Sequence, residues 1–545
     1  MSAFSLPADS PAAQGVDASG VHAFLDALEA HPEIEPHSLM IMRHGRLAAS
    51  GWWAPYTPDR PHLLYSLSKS FTGTAAALAE AEGLLDFDAP VISYFPELAA
   101  EITDPRSRAM LVRHVASMAS GHERETIDEV YALDKQEPVR GFLLLPPDRD
   151  PGTVFAYNQP ATYTLAAIVQ RVTGQPLTAY LRPRLLDPLG IGEVFWQRDR
   201  AGREIGYSGL HATTDAIARL GELYLRDGVW EGERLLPEGW VARATRPHIP
   251  TAGAMGDENR QDWDRGYGYQ FWISRHGYRG DGAYGQFCLV LPEQDAVIAM
   301  TAATVRMQDV LNLVWQHLLP AFGPEPLPGR ESADKALRER LAGLALAPAP
   351  GRPAPPDATE EWSAAEFRSS DGDGPALSAG LVPDADGWTL RLTEGEHRLD
   401  LRIGAEGWTV AEKPLPTAVS GGWTDPGTLA LEVAFLETPH RLALTCSLAD
   451  RTLTASWRTQ PLASGRLTSL PGRNVFRTVR SASWFALASQ SSSGVVQRSE
   501  KLRPPPSRKP RPKVCTRVPS ASTVHSMSAA SRPWYVVARI SPIRR

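Results

Sequence analysis

Tyr65-Ser66-Leu67-Ser68-Lys69-Ser70-Phe71-Thr72 sets a serine and a lysine three residues apart at the head of a helical pattern. From there Leu67, Phe71, Ala75 and Leu78 recur at helical spacing, and Gly83 ends the run. Residues three apart share one helix face, so the Ser66 hydroxyl and the Lys69 amine can meet. Serine is a poor nucleophile at neutral pH, but a neighbouring amine can take its proton when that amine is itself neutral. Burial lowers a lysine pKa, and the positive end of a helix favours a developing alkoxide. These are the ingredients of a serine acyl-transfer enzyme.

Spacing alone is weak evidence, because Ser332-Ala333-Asp334-Lys335 repeats it. There the serine reads as the N-cap of a charged helix, Ser332 to Leu344, on a solvated face. Ser66 differs in its flanks: the strand-like approach His62-Leu63-Leu64-Tyr65 precedes it and a small-residue helix fit for burial follows. A second element is Phe155-Ala156-Tyr157-Asn158-Gln159, which leads into a helix carrying Leu165, Ile168 and Val169. A tyrosine beside a lysine can act as general base or proton shuttle. Taken alone, Tyr157 is more often a packing residue. The third element, Arg279-Gly280-Asp281-Gly282-Ala283-Tyr284-Gly285, opens an antiparallel hairpin, Cys288 to Leu291 and Ala296 to Met300. Glycines at the mouth of a strand let another backbone or a substrate approach closely; a simple glycine turn is the plainer alternative.

The order Ser-x-x-Lys, then Tyr-x-Gln about ninety residues later, then a glycine-rich strand, resembles the serine β-lactamase and penicillin-binding-protein-like family. The likeness is to its class C-like branch of esterases, D-aminopeptidases and 6-aminohexanoate-oligomer hydrolases, and covers roughly residues 10–320. It implies Ser66 as nucleophile, Lys69 as its activator and Tyr157 as the group that hands the proton to the leaving group. Gln159 stands where the family has Asn and would hold Lys69 or a substrate amide. The backbone N–H groups of Ser66 and Ala283, the latter just after Gly282, would form the oxyanion hole. The family's Lys-Thr-Gly or His-x-Gly appears here as Gly280-Asp281-Gly282. The cation that grips a carboxylate is therefore missing at that position, and Asp281 is expected to repel an anionic substrate. Arg279 is the one neighbour placed to compensate. The resemblance thus points to a small neutral or amine-bearing ester or amide, with no cofactor, ahead of a β-lactam or a D-amino-acid peptide.

Hydrophobic content of 43% and charged content of 22% are those of an ordinary globular protein. No run of eighteen apolar residues occurs, so no membrane partner is expected. "MSAFSLPADSPAAQGVD" has neither a basic region nor an apolar core, and Cys288, Cys446 and Cys515 lie far apart. Both features predict a cytoplasmic protein without a disulfide framework. His114 and His122, eight apart, do not have zinc spacing.

Along the chain the reading is an α+β domain over residues 1–322, with an antiparallel sheet and a helical subdomain. It starts with a helix over 18–31 and a hairpin about His44-Gly45, and closes with a helix from Val310 to Leu319. A helix and Pro-rich linker fill 323–357. Over 358–473 the period becomes two, as in Trp388-Leu390-Leu392 and Leu429-Leu431-Val433-Phe435, which predicts a small β-barrel. It resembles the lipocalin-like C-terminal domains of some family members, and would shape the active-site mouth, form a homodimer contact, or simply pack. Residues 474–545 carry 14 Lys+Arg and one acid, Glu500. Such a Ser/Pro/Arg-rich tail reads as disordered, or as translation past a disrupted stop. Two further classes stay open: a binding module that kept the fold without the chemistry, and nucleic-acid association through the tail. From the folded domains no nucleic-acid partner is expected.

Overall fold

The computed structural model describes residues 6–253, 260–357, 359–369, 377–384, 387–404, 407–462 and 464–470. The basic tail from residue 474 and Cys515 lie outside them. Helix α1 (Ala18–Ala30) starts at Asp17, whose carboxylate accepts from the Ser19 N–H. Strands β1 (Glu35–Arg43) and β2 (Arg46–Trp52) then form the expected hairpin, with His44 and Gly45 both at positive φ in the turn. The sheet is completed by β3 (Trp272–Ile273), β4 (Tyr278–Gly282), β5 (Gln286–Leu291) and β6 (Ala296–Ala303). Its order is β2-β1-β6-β5-β4-β3, antiparallel throughout.

The pairing of β1 with β6, Glu35 opposite Ala303 through Arg43 opposite Ala296, joins the two ends of the domain. All eight residues of β6 are buried, as a strand covered on both faces must be, so its sequence is a continuous run and not an alternation. Helix α4 (Thr214–Leu225) covers one face; a Cβ at its Gly221 would lie 2.5 Å from Val297 Cγ1, so glycine is what lets the helix come this close. Helix α1 packs on the other face with α5 (Met307–Leu313), which opens three residues earlier than expected and continues as a wider π turn over Val314–Leu318. The helical subdomain centres on α2 (Ser68–Ala81) packed against α3 (Gln159–Thr173).

Helix α6 (Glu331–Ala342) has Arg330 at its N-cap, so Ser332 is not the cap. Ser332 is an exposed first-turn residue, and the Lys335 amine lies 3.8 Å from Glu339. The Pro-rich segment that follows is no free tether. The Leu346 N–H donates to the Ala54 carbonyl (2.8 Å), and Arg352 and Trp423 exchange both backbone hydrogen bonds.

Beyond it, nine strands form a nearly closed barrel: β7 (Glu366–Ser369), β8 (Ser378–Asp384), β9 (Gly387–Glu394), β10 (His397–Ile403), β11 (Thr409–Ala411), β12 (Thr417–Asp425), β13 (Thr428–Phe435), β14 (Arg441–Ser447) and β15 (Thr452–Thr459). The one parallel pair, β7 with β15, joins its first and last strands. Trp362, Trp388 and Trp423 fill the barrel core, edge to face. Ala418, Ala434 and Leu436 of the barrel belong instead to the core of the first domain. Among the described residues no helix is long and apolar enough to cross a membrane.

Edge-side strand β4 runs directly against the turn that carries Ser66. A Cβ at Gly282 would stand 2.1 Å from the Leu64 carbonyl oxygen, and one at Gly280 2.5 Å from Ser70 Oγ. Gly282→Ala is therefore expected to cost about 1–3 kcal/mol by overpacking. Gly192→Ala, where a Cβ meets nothing within 4 Å, is expected to melt like the parent. Thermal unfolding of the two variants side by side checks this, and equal midpoints would contradict the close approach.

Candidate active site

Ser66 lies in a 3-10 turn, Tyr65–Leu67, which leads directly into α2, so the α-helix starts two residues after the serine. Every residue of α2 from Ser68 to Ala79 is buried; its Ala, Ser, Thr and Gly let neighbours approach on all sides around the larger Lys69, Phe71 and Leu78. Lys69 is 1% exposed. Its Nζ lies 3.1 Å from Ser66 Oγ, 2.7 Å from Gln159 Oε1 and 2.8 Å from the Tyr207 carbonyl oxygen. Burial lowers its pKa to about 7, against the opposing pull of Glu125 and Asp281.

The three partners decide where the amine's lone pair points. Gln159 Oε1 and the Tyr207 carbonyl only accept, so a neutral Lys69 donates its two hydrogens to them. The remaining lone pair is left facing the Ser66 hydroxyl, which then donates to it. Gln159 Oε1 is thus an acceptor for Lys69 in this arrangement.

Tyr157 stacks on Trp272 of β3, ring centroids 5.4 Å apart, and Lys69 Nζ sits 4.7 Å from the Tyr157 ring centre. Ala283 follows the last residue of β4, whose Gly282 abuts Leu64 and the Leu67 N–H, so Ala283 stands beside the Ser66 turn. The structure therefore gathers Ser66, Lys69, Tyr157, Gln159, Gly282 and Ala283 in one place, and leaves Ser332 outside it.

Asp281 requires a correction. It is not an open carboxylate but is buried, accepting from Arg279 Nε at 2.9 Å. Burial pushes its pKa up while Arg279 pulls it down. Arg279 is itself fully buried, donating also to the Asp262 carbonyl and to Ser274 Oγ. Alternation along β4 puts Gly280 and Gly282 toward α2 and this ion pair on the other face. Arg279 thus makes its ion pair inside the protein and not on the face of β4 that meets the Ser66 turn.

Two residues of this cluster were not read from the sequence. Glu125 accepts from the backbone N–H groups of Thr126, Ile127 and Gln159. Burial nevertheless raises its pKa to about 7, where it meets that of Lys69. Tyr207 supplies its carbonyl from a loop pinned to α2: Thr72 Oγ1 donates to the Gly206 carbonyl and the Leu210 N–H to Ser68 Oγ. The left-handed glycines Gly206 and Gly209 on either side of Tyr207 and Ser208 were the only signal of this loop. A cleft of about 790 Å³ opens beside Tyr207, lined also by Tyr131, Asp199, Leu415 and Leu470. Among the described residues no group of three or more His, Cys, Asp or Glu side chains is arranged to hold a metal ion.

The beta-lactamase family model matches residues 24–319. The 6-aminohexanoate-dimer hydrolase of Paenarthrobacter ureafaciens is 29% identical over 308 residues, 50% of this chain and 76% of its own. Esterase EstB of Burkholderia gladioli is 28% identical over 33% of this chain and 53% of its own. The octameric penicillin-binding protein homologue from Pyrococcus abyssi superposes with a TM-score of 0.42 at 16% identity, covering 80% of this chain and 96% of that one. With the family model spanning more than half of the chain, and relatives named as hydrolases and esterases, this chain belongs to the beta-lactamase family and is a serine hydrolase.

Proposed function

We propose that the chain hydrolyses a small carboxylic ester or amide through an acyl-enzyme on Ser66. The observation that carries this reading is the Lys69 amine, buried, shifted to about neutrality and 3.1 Å from Ser66 Oγ. Neutral Lys69 takes the Ser66 proton as Oγ attacks the carbonyl carbon. The N–H groups of Ser66 and Ala283 receive the oxyanion. Tyr157, against Lys69, passes the proton to the leaving alcohol or amine, the carbon–heteroatom bond breaks, and water then releases the acid by the same route in reverse. With Arg279 sealed in its ion pair with Asp281, an anionic β-lactam has no cation waiting at that strand. That favours a neutral or amine-bearing substrate over a β-lactam.

Turnover of p-nitrophenyl butyrate tests the nucleophile. Ser66→Ala is expected to lose activity by about 1,000-fold or more, with an acyl adduct on Ser66 detected by mass in the parent. Ser332→Ala is expected to behave as the parent. Activity surviving in Ser66→Ala would refute the reading.

The pH profile tests the base. Only neutral Lys69 accepts a proton, so kcat/KM is expected to fall with unit slope below an apparent pKa of about 7. The Glu125 carboxylate stabilises the Lys69 ammonium and so raises its pKa. In Glu125→Gln that support is lost, and the acid limb is expected to move to lower pH. A limb that stays in place or moves up would contradict the coupling.

A further inference from the structure

We propose that His440 of the C-terminal barrel is a positioning residue for the oxyanion hole, which makes the barrel a working part of the active site and not a packing module. The inference rests on the roles of Ser66 and Ala283 stated above.

The two residues that flank these N–H groups are both tyrosines in the left-handed backbone region, Tyr65 at φ 47° and Tyr284 at φ 68°. For a bulky residue that conformation costs on the order of 1–3 kcal/mol and persists only where surroundings hold it. Here both side chains are tied to the same corner of the barrel. The Tyr65 hydroxyl lies 2.7 Å from His440 Nε2, and the Tyr284 hydroxyl donates to the Gln460 carbonyl at 2.5 Å. His440 Nδ1 lies 3.0 Å from the carbonyl of Thr459, the residue before Gln460. The rings interlock edge to face: Tyr65 and Tyr284 are 5.6 Å apart, and His440 is 5.8 and 5.7 Å from them.

The proton positions follow from chemistry. A carbonyl only accepts, so His440 carries its hydrogen on Nδ1 and gives it to Thr459. The imidazole is fully buried and stays neutral, its pKa pushed down to about 3 by desolvation. Nε2 is therefore a bare lone pair, and the Tyr65 hydroxyl must donate to it. The His440 backbone is locked in turn, its N–H on Thr438 Oγ1 at 3.1 Å and its carbonyl accepting from the Phe435 N–H. The same loop receives the Leu63 N–H on the Glu437 carbonyl at 2.8 Å. One end of the barrel thus grips the approach to Ser66 on one side and the exit from Ala283 on the other, and sets the distance between the two oxyanion donors.

The test uses the full chain, with active sites titrated by a fluorophosphonate so that rates refer to folded enzyme. Tyr65→Phe removes the donated hydrogen and keeps the ring. His440→Leu removes the acceptor, and His440→Gln restores one at the Nε2 position. Tyr65→Phe and His440→Leu are each expected to lower kcat by about 10- to 100-fold, the size expected for a misplaced catalytic donor. KM is expected to stay within about twofold. Inhibition by phenylboronic acid, which mimics the tetrahedral adduct, is expected to weaken in parallel with kcat. His440→Gln is expected to recover most of the loss. If His440 served packing alone, the melting temperature would fall while kcat per titrated site and boronate affinity held, and that overturns the proposal. A His440→Gln no better than His440→Leu overturns it too. Should His440→Leu fail to fold, Tyr65→Phe decides by the same criteria. If Ser66→Ala keeps parental activity, the acyl-enzyme reading falls and this one with it. If Ser66→Ala is dead while Tyr65→Phe and His440→Leu turn over normally, only the role of His440 falls.

Discussion

An amine held out of water is the constraint around which the site is organised. A buried lysine that stayed charged would cost several kcal/mol unless paired, and no carboxylate is bonded to Lys69. Its partners are a serine hydroxyl, an amide oxygen and a backbone carbonyl, all neutral. Burial then shifts it toward the neutral form at ordinary pH, and two partners that can only accept direct its lone pair at Ser66. The chemistry and the packing of α2 are therefore one arrangement: the small residues that let neighbours crowd the helix also dry the amine.

Each neighbour is brought by a backbone feature and not by a conspicuous side chain. Gly280 and Gly282 let β4 lie against the Ser66 turn. Gly206 lets the Tyr207 loop press on α3, where a Cβ would stand 2.3 Å from Ala166 Cβ. Glu125 sits close enough to influence Lys69 while spending its oxygens on backbone N–H groups. Burial moves the two groups toward each other, Lys69 down and Glu125 up, to about 7 each. The buried Arg279–Asp281 pair does a different job. It lies on the strand face opposite Gly280 and Gly282, from where Asp281 still pulls the Lys69 pKa upward.

The barrel joins the catalytic domain through polar contacts at defined points. Arg60 and Glu412 form a two-point ion pair, with N···O distances of 2.9 and 2.7 Å. Arg441 binds Glu35, which lies 3.3 Å from a buried histidine pair, His37 and His62. The tyrosine contacts of His440 and the buried Arg441–Glu432 pair add direction to the apolar contact made by Ala418, Ala434 and Leu436, because a buried polar group stranded by a slip would be costly.

Local pattern was enough for much of this. Helical spacing after Leu67, alternation in the barrel strands and turn glycines each report on neighbours a few residues away, so α2, the β1–β2 hairpin, the β5–β6 hairpin and the barrel were all legible. The Ser66–Lys69 pair was legible for the same reason, three residues being one helical turn. What joins distant segments was not. The β1–β6 pairing, the Tyr207 carbonyl and the His440–Tyr65 bond link residues far apart in the chain, and a carbonyl leaves no mark in side-chain identity. Burial was not legible either: Asp281 is buried against Arg279, which its sequence neighbours do not show. Residue types that meet within a turn or a hairpin can be read locally, because covalent geometry sets those distances. Which amine is dry, which charge is paired and which turns are held in the left-handed region emerge only in the folded chain, because desolvation and long-range contact require it to have closed on itself.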